Sequence, residues 1–162
     1  MAGPLRSWSL GYDWAGRLTS VSYPGGVDAY MYDGIGKRHW ATFSGVVRGY
    51  VYDREWVLDE TNEAWGELTR YTTVNGSYYE PLLSLAGASG HRFPMYDMMG
   101  SMRGLLDENG GLNARLSLSA FGVGSPWLGT PTPFRYGGAW GYLTDPSGLL
   151  QLGARFYRPE VG

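Results

Sequence analysis

Short runs in which apolar and polar positions alternate are the first pattern along this chain. Tyr30-Met31-Tyr32 and Tyr50-Val51-Tyr52 each place two aromatic rings two residues apart. A period of two directs both rings of a run to one face of a β-strand. No segment keeps an apolar period of 3.6 residues over three turns, which is the pattern of an amphipathic helix. We therefore predict an all-β fold.

A Tyr-Asp pair recurs along the chain. The pairs Tyr12-Asp13, Tyr32-Asp33 and Tyr52-Asp53 are spaced by 20 residues, and Tyr96-Asp97 follows 44 residues later. An interval of this length holds about two strands of six residues with their turns, which is one hairpin. Successive hairpins predict an antiparallel meander.

A second repeat places Gly three residues after Asp, more often than chance would give from eight Asp and 26 Gly. An Asp that opens a type I turn accepts backbone N–H groups, and a Gly at its fourth position adopts a positive φ at little cost. Such a turn joins the strands of a bulged hairpin. Asp53-Arg54-Glu55-Trp56 lacks this Gly, so we expect a different or longer turn there. The repeated segments are Asp13–Gly16, Asp33–Gly36, Asp97–Gly100, Asp107–Gly110 and Asp145–Gly148.

These signals divide the chain into strands and loops. Segment 78–90, which contains Pro81, Gly87 and Gly90, is predicted to be a long connecting loop, and a second loop is predicted over 122–133. We expect residues 1–77 to hold the Tyr-Asp repeats and 91–162 to continue the same sheet. The expected strands lie at 5–12, 17–23, 27–32, 37–43, 46–53, 55–60, 67–74, 91–97, 101–107, 112–119, 133–137 and 149–157.

Composition and charge exclude several classes of site. The chain has no Cys, which excludes disulfides, iron–sulfur clusters and zinc sites built on Cys. A net charge of −2 gives no reason to expect nucleic-acid binding. No apolar run is long enough to span a bilayer, and Met1–Leu10 has none of signal-peptide length. Lys37 is the only Lys beside 12 Arg, which either Arg stacking on aromatic rings or genomic base composition explains.

Candidates for catalysis and metal binding are few. His39 and His91 are far apart in sequence and have no partners at helical spacing, so we interpret them as packing or surface residues. A glycosidase needs two carboxylates about 5–9.5 Å apart, but a solvated edge strand also explains the acidic cluster near Trp56 and Trp65. No nucleophile elbow or phosphate-binding loop occurs. We therefore expect no catalytic, cofactor-binding or metal-binding residues. The acidic cluster consists of Asp59, Glu60, Glu63 and Glu67.

Several of these segments resemble the Rhs/YD-repeat family. Gly11–Val21 and Tyr30–Arg38 resemble its YD repeats. The segments that resemble its Rhs repeat-associated core are Tyr96–Gly110, Ala120–Gly122, Pro133–Gly137 and Gly148–Tyr157. The similarity extends over about residues 11–160. The motif residues are Tyr12, Asp13, Gly16, Arg17, Tyr32, Asp33, Gly36, Lys37, Tyr52, Asp53, Tyr96, Asp97, Gly100, Arg103, Asp107, Gly110, Phe134, Arg135, Tyr136, Asp145, Gly148, Arg155 and Tyr157.

The resemblance implies a structural role. In this family the repeats form a curled antiparallel sheet that winds into a hollow shell, and the shell encloses a toxin or effector domain of the same chain. It therefore implies a non-enzymatic scaffold without cofactors. The expected partners are an enclosed effector and either further shell repeats or a second copy joined through the sheet edges. It also implies a bacterial secreted or cell-surface protein.

The chain departs from the family pattern at several points. The family's self-cleaving aspartyl segment would lie beyond Gly162, so we expect no protease activity. Asp145-Pro146-Ser147-Gly148 resembles the family's cleavage signature, but it lies in a hairpin turn where Asp and Gly are ordinary residues. Leu118-Ser119 and Arg158 stand where Tyr-Asp and Asp are expected, so two turns are expected to be remodelled. A chain of 162 residues can form an arc, a small barrel or part of a larger assembly.

A second hypothesis belongs to a different class of function. The 25 aromatic rings could form a ligand platform, as in a carbohydrate-binding module of the cell surface that uses exposed Trp and Tyr. The competing interpretation is a packed sheet face covered by Arg stems.

Overall fold

Twelve strands follow one another across a single antiparallel sheet in the order of the chain. The computed structural model describes residues 8–74, 81–124, 128–129 and 132–161. The strands are β1 (Ser9–Tyr12), β2 (Leu18–Tyr23), β3 (Gly26–Tyr32), β4 (Arg38–Phe43), β5 (Val46–Asp53), β6 (Trp56–Thr61), β7 (Glu67–Thr72), β8 (Ser84–Gly87), β9 (Gly90–Tyr96), β10 (Met102–Leu106), β11 (Leu112–Arg115) and β12 (Leu128–Gly129). Within the described residues β1 and β12 do not pair, so the sheet is open rather than a barrel. The predicted all-β antiparallel meander is confirmed.

One face of the sheet, called the inner face below, carries the aromatic core. Tyr30, Tyr50 and Tyr71 are at most 6% exposed, on β3, β5 and β7. Their strand neighbours Met31 and Val51 are 61% and 36% exposed. The alternation seen in the sequence therefore sorts the rings onto the inner face, as the period of a strand requires.

A second, three-stranded sheet forms near the end of the chain. It consists of β13 (Leu143–Thr144), β14 (Leu150–Leu152) and β15 (Arg155–Tyr157). A short 3-10 helix, Gly138–Trp140, precedes it. Residues 132–161 are called the closing segment below.

The closing segment packs on the inner face of the large sheet. Phe134 is fully buried, and its ring centre lies 5.6 Å from that of Trp56 and 4.8 Å from that of Tyr71. Phe156 stacks on Tyr30 at 5.4 Å. Burial of such side chains contributes roughly 1.5–3 kcal/mol each, so these aromatic contacts hold the two sheets together.

The structure corrects four expectations about the elements. Part of segment 78–90 is not a loop, because Ser84–Gly87 forms β8 and Leu85 enters the core. Residues 133–137 form no strand. Residues 149–157 form a hairpin that reverses at Gly153, where φ is 62°. The last strands do not continue the large sheet, because β13–β15 pair with one another and Phe156 packs on Tyr30 of the inner face. Residues 5–7 of the first expected strand and 78–80 of the expected loop lie outside the described residues.

Two smaller points complete the architecture. β12 lies within the loop expected at 122–133, and it pairs with β11 over two residues. In the described part of the chain, no helix is both long and apolar enough to cross a membrane.

Candidate functional site

The Asp-x-x-Gly turns share one hydrogen-bond pattern, of which the turn at Asp33 is representative. Its Oδ1 accepts the N–H groups of Ile35 at 3.0 Å and Lys37 at 2.8 Å. The Asp33 carbonyl accepts the N–H of Gly36 at 3.1 Å. Gly36 has a φ of 87°, a left-handed conformation that costs other residues about 1–2 kcal/mol. The same pattern occurs at Asp13, Asp97 and Asp107.

Two of these turns, at Asp13 and Asp97, hold their carboxylates as structural anions. At Asp13 the N–H of Arg17 is the largest cause of a lowered pKa, and the Arg17 guanidinium adds an ion pair at 2.8 Å. At Asp97 burial raises the pKa, but the N–H of Ser101 and the Arg103 ion pair at 2.7 Å help outweigh it, and the pKa is lowered. A group held ionised in this way is a poor general acid.

Two further turns have this geometry without Asp. Asn62 accepts the N–H groups of Ala64 and Gly66 at 2.9 and 2.8 Å, and Trp65 occupies the glycine position with a φ of 61°. Ser119 Oγ accepts the N–H of Val123 at 3.1 Å. The turn at Leu118-Ser119, expected to be remodelled, therefore keeps the bond from the fifth residue and the bond from Gly122 N–H to the Ser119 carbonyl. A search that allowed Ser at the first position would have found the Ser119 turn, since this side chain also accepts backbone N–H groups. The Asn62 turn would also have required a residue other than Gly at the fourth position.

The tyrosines of the Tyr-Asp pairs connect neighbouring repeats. The hydroxyl of Tyr32 donates to the carbonyl of Leu18 at 2.7 Å, and that of Tyr52 donates to the carbonyl of Arg38 at 3.0 Å. Tyr96 does the same to Leu82 at 3.2 Å. Each bond spans 14 residues. Burial raises the pKa of Tyr32 to about 12, so this hydroxyl remains a donor at neutral pH.

The cations that follow the Asp13 and Asp33 turns pack on the tyrosine of the next repeat. The guanidinium carbon of Arg17 lies 5.1 Å from the ring centre of Tyr32, and the ammonium of Lys37 lies 5.2 Å from that of Tyr52. Cation–π contacts of this kind contribute about 0.5–1 kcal/mol at exposed sites. A hydroxyl bond and a cation–ring contact therefore form a repeated joint between hairpins, called the Tyr–cation joint below.

The remaining Tyr-Asp residues depart from this pattern. Asp53 pairs with Trp56, so the chain reverses over only two residues, with Arg54 at a φ of 53°. The turn differs, as expected for a turn without Gly, but it is shorter rather than longer. Tyr12 lies at the end of β1 and is 59% exposed.

A buried cluster forms around Asp145 in the β13–β14 turn. The turn itself is of the common type, with the N–H of Gly148 donating to the Asp145 carbonyl at 2.8 Å. The Asp145 carboxylate, however, accepts two bonds from Arg38 Nη1, at 3.0 and 2.9 Å, and one from the Tyr30 hydroxyl at 2.9 Å. The two charged side chains are 1% and 2% exposed. Asp145 therefore connects the closing segment to β3 and β4.

Aromatic rings surround the guanidinium of this cluster. Arg38 lies 5.1 Å from the ring centre of Tyr30 and 5.0 Å from that of Tyr50. Burial alone would lower the pKa of Arg38, but the adjacent Asp145 outweighs it and the pKa is raised. Burial raises the pKa of Tyr30 and Tyr50 as well. Arg38 therefore stays protonated in an ion pair with Asp145, and it does not supply a proton for catalysis.

Two other acids lie on the inner face. Asp28 is fully buried and accepts a bond from the Tyr23 hydroxyl at 3.3 Å. Glu60 accepts a bond from the Tyr71 hydroxyl at 2.8 Å. Burial raises the pKa of both carboxyl groups.

The other motif residues lie in the closing segment. The hydroxyls of Tyr136 and Tyr157 donate to the carbonyls of Ala120 and Phe121, each at 3.2 Å, and so join the segment to the Ser119 turn. Arg135 donates from Nε to the Thr132 carbonyl at 3.1 Å. Arg155 is exposed on β15.

The residues considered for chemistry do not form a site among the described residues, where no three metal-ligating side chains come together. His39 lies against the Trp40 ring, and His91 is exposed. Asp59 forms an ion pair with Arg70 on the face away from the aromatic core, whereas the next residue, Glu60, lies on the inner face. The acidic cluster is thus divided between two faces of the sheet.

The exposed indoles are also separated. Trp14 is 96% exposed in the β1–β2 turn, and Trp65 is 58% exposed in the β6–β7 turn. In a meander these two turns lie at opposite ends of the strands. Trp65 packs on Trp40, with ring centres 4.7 Å apart. Trp14 and Trp65 therefore do not form one platform.

Comparison with known proteins identifies the fold. No family model and no curated protein matches the sequence. A crystal structure of TcdB2-TccC3 matches with a TM-score of 0.66 at 21% identity, over 96% of this chain and 9% of that one. The Tc holotoxin pore of Photorhabdus luminescens matches with a TM-score of 0.68 at 20% identity, over 96% and 8%. This chain spans less than a tenth of either structure, and it has the fold of that segment of these toxin-complex proteins.

Proposed function

We propose that this chain is a non-enzymatic β-sheet scaffold of the Rhs/YD-repeat type. It forms part of the wall of a shell that encloses a toxin or effector polypeptide. Assembly proceeds through the edges of the sheet, with further repeats or with other copies. The likeness to segments of Tc toxin proteins supports the fold on which this proposal depends.

The observation that carries the proposal is the Tyr–cation joint. It occurs with the same spacing between successive hairpins, at Arg17 with Tyr32 and at Lys37 with Tyr52. A joint that repeats at fixed spacing allows a sheet to be extended hairpin by hairpin, as in other repeat proteins. It also stiffens the sheet between hairpins, which suits a wall.

The ionisable groups support a structural rather than a catalytic role. Among the described residues, the most deeply buried ion pair joins Arg38 to Asp145, and the two charges neutralise each other within the fold. The turn carboxylates accept backbone N–H groups and hold turns. Intact mass spectrometry after prolonged incubation tests this point. A single unchanged mass is expected, and cleavage next to Pro146 would contradict the proposal.

Edge assembly can be tested at β1, whose outer edge is unpaired among the described residues. Exposed backbone donors and acceptors at such an edge pair readily with another strand, and a charged side chain discourages this. Leu10 is 46% exposed on β1, and Met31 is 61% exposed on the central strand β3. Leu10→Lys and Met31→Lys therefore add the same charge at the edge and away from it.

Sedimentation equilibrium over the micromolar range gives the readout. For the wild-type protein and M31K, the apparent mass is expected to rise above the 17.9 kDa chain mass as the concentration increases. The apparent mass of L10K should stay at the chain mass. Circular dichroism checks that both variants keep the sheet. A wild-type monomer at every concentration would overturn assembly through the edge.

A further inference from the structure

A cleft crosses the inner face of the sheet beneath the closing segment. A cavity of about 530 Å³ lies between β5–β7 and the residues around Thr132 and Thr144. A second cavity of about 270 Å³ continues it to β9. The two share five lining residues, Glu60, Leu68, Thr69, Thr132 and Pro133, so they form one elongated cleft.

The cleft is rich in arginine. Arg48 lies at its β5 end, Arg92 at its β9 end and Arg135 in its outer wall. Arg48 donates to the carbonyl of Val47 at 3.3 Å, and Arg92 donates to the carbonyl of His91 at 2.7 Å. Neither Arg48 nor Arg92 forms a salt bridge with a carboxylate of the described residues.

Buried polar groups in the cleft wall remain without partners. Arg92 is only 8% exposed, and its Nε has no hydrogen-bond acceptor among the described atoms. The Thr144 hydroxyl is buried without a partner as well. A buried guanidinium N–H without an acceptor costs free energy, so a ligand that supplies an acceptor to Arg92 gains affinity.

Both acids that line the cleft, Asp145 and Glu60, accept hydrogen bonds from other residues of the fold. The Asp145 carboxylate is bound to Arg38 and Tyr30. Glu60 accepts the Tyr71 hydroxyl bond, and burial raises its pKa. The cleft is therefore complementary to negative charge, with positive groups at both ends.

We propose that this cleft binds an acidic polypeptide segment in an extended conformation. The four strand spacings from β5 to β9 separate its ends by about 19 Å along the sheet. An extended chain covers this distance in about six residues, so carboxylates roughly six residues apart would reach Arg48 and Arg92. A single phosphate could reach only one of them, which favours a peptide over a small anion.

The assay uses a fluorescein-labelled heptapeptide with Glu at its first and last positions and neutral residues between. Its matched control carries Gln at both ends. Fluorescence anisotropy with the full chain should show binding of the Glu peptide and at least about ten-fold weaker binding of the Gln peptide, the loss expected for charge-assisted hydrogen bonds. Equal affinities would overturn the proposal.

Three protein variants locate the site. Arg48→Gln and Arg92→Gln should each weaken the Glu peptide about ten-fold. Arg115 is exposed on β11 and lies outside the cleft, so Arg115→Gln should keep the affinity for the Glu peptide within about two-fold of wild type. Arg92 is buried, so if R92Q does not fold, R48Q with the two peptides decides the question. An equal loss in R115Q would indicate general charge attraction and refute the site.

Inorganic phosphate at equal ionic strength provides the last arm. If phosphate displaces the Glu peptide with an affinity equal to that of the peptide, the cleft is a small-anion site and the extended-peptide proposal is refuted. The inference does not depend on shell assembly, because the cleft lies within one chain. A monomeric protein that still binds the Glu peptide would overturn assembly between copies and leave this inference standing.

Discussion

The Arg38–Asp145 pair makes a specific prediction about stability. Asp145→Asn keeps the shape of the side chain but removes its charge, so Arg38 is left as an uncompensated cation with a side chain that is only 1% exposed. Removing one partner of a buried ion pair costs about 3–5 kcal/mol. A domain of ordinary stability has about 5–15 kcal/mol in total. D145N should therefore lose a large part of its free energy of unfolding.

Urea denaturation followed by tryptophan fluorescence measures the effect. Asp13→Asn is the matched control, because Asp13 forms an ion pair that is only half-buried and Asn62 already holds the same type of turn with an amide. D13N should unfold close to the wild-type midpoint. A D145N variant as stable as D13N would refute the reasoning.

A double-mutant cycle separates the pair from its surroundings. Arg38→Gln alone leaves Asp145 buried without its cation, whereas the double variant R38Q/D145N carries no buried charge at either position. The double variant should be more stable than the sum of the single losses predicts, by about 2–3 kcal/mol. Simple additivity would mean that the two charges do not stabilise one another.

Two further predictions use single substitutions. Gly36→Ala should cost about 1–2 kcal/mol through its positive φ alone, because nothing lies near the added Cβ. Gly100→Ala should cost more in the same urea assay, because its Cβ would overlap the Trp140 indole. Equal losses of stability in the two variants would contradict this packing. For Glu60, a raised pKa in the folded state means that its carboxyl destabilises the fold as pH rises from about 4 through that pKa. The stability of Glu60→Gln relative to wild type should therefore increase over this range, and a difference independent of pH would contradict the burial of Glu60.

Local chemistry explains why the turns could be predicted. The hydrogen bonds of the Asp33 turn join residues at most four apart, so sequence alone contains all their partners. The Asn62 turn was missed because it has Asn in place of Asp and Trp65 in place of Gly. Strand β8 was missed because Ser84–Gly87 is short and ends in Gly, and its pairing depends on β7 and β9 on either side.

Long-range contacts explain what could not be predicted. Arg38 and Asp145 are 107 residues apart, and no local pattern distinguishes Asp145 from an Asp that holds its own turn. The segment around Phe134 has the aromatic composition of a strand, but burial of its ring against Trp56 and Tyr71 fixes it in another conformation. The arginine cleft likewise depends on the packing of two distant segments.

The Tyr–cation joint has a consequence for how such chains could be shortened or recombined. Each joint takes its cation from one hairpin and its phenol from the next, as Arg17 and Tyr32 do. A hairpin closed by an Asp turn, such as β1–β2, contains only the cation side of this joint, so such a unit excised alone would lose the contact entirely. Cohesion grows with the number of boundaries between units, and units from different arrays can be exchanged wherever a cation meets a ring across the new boundary.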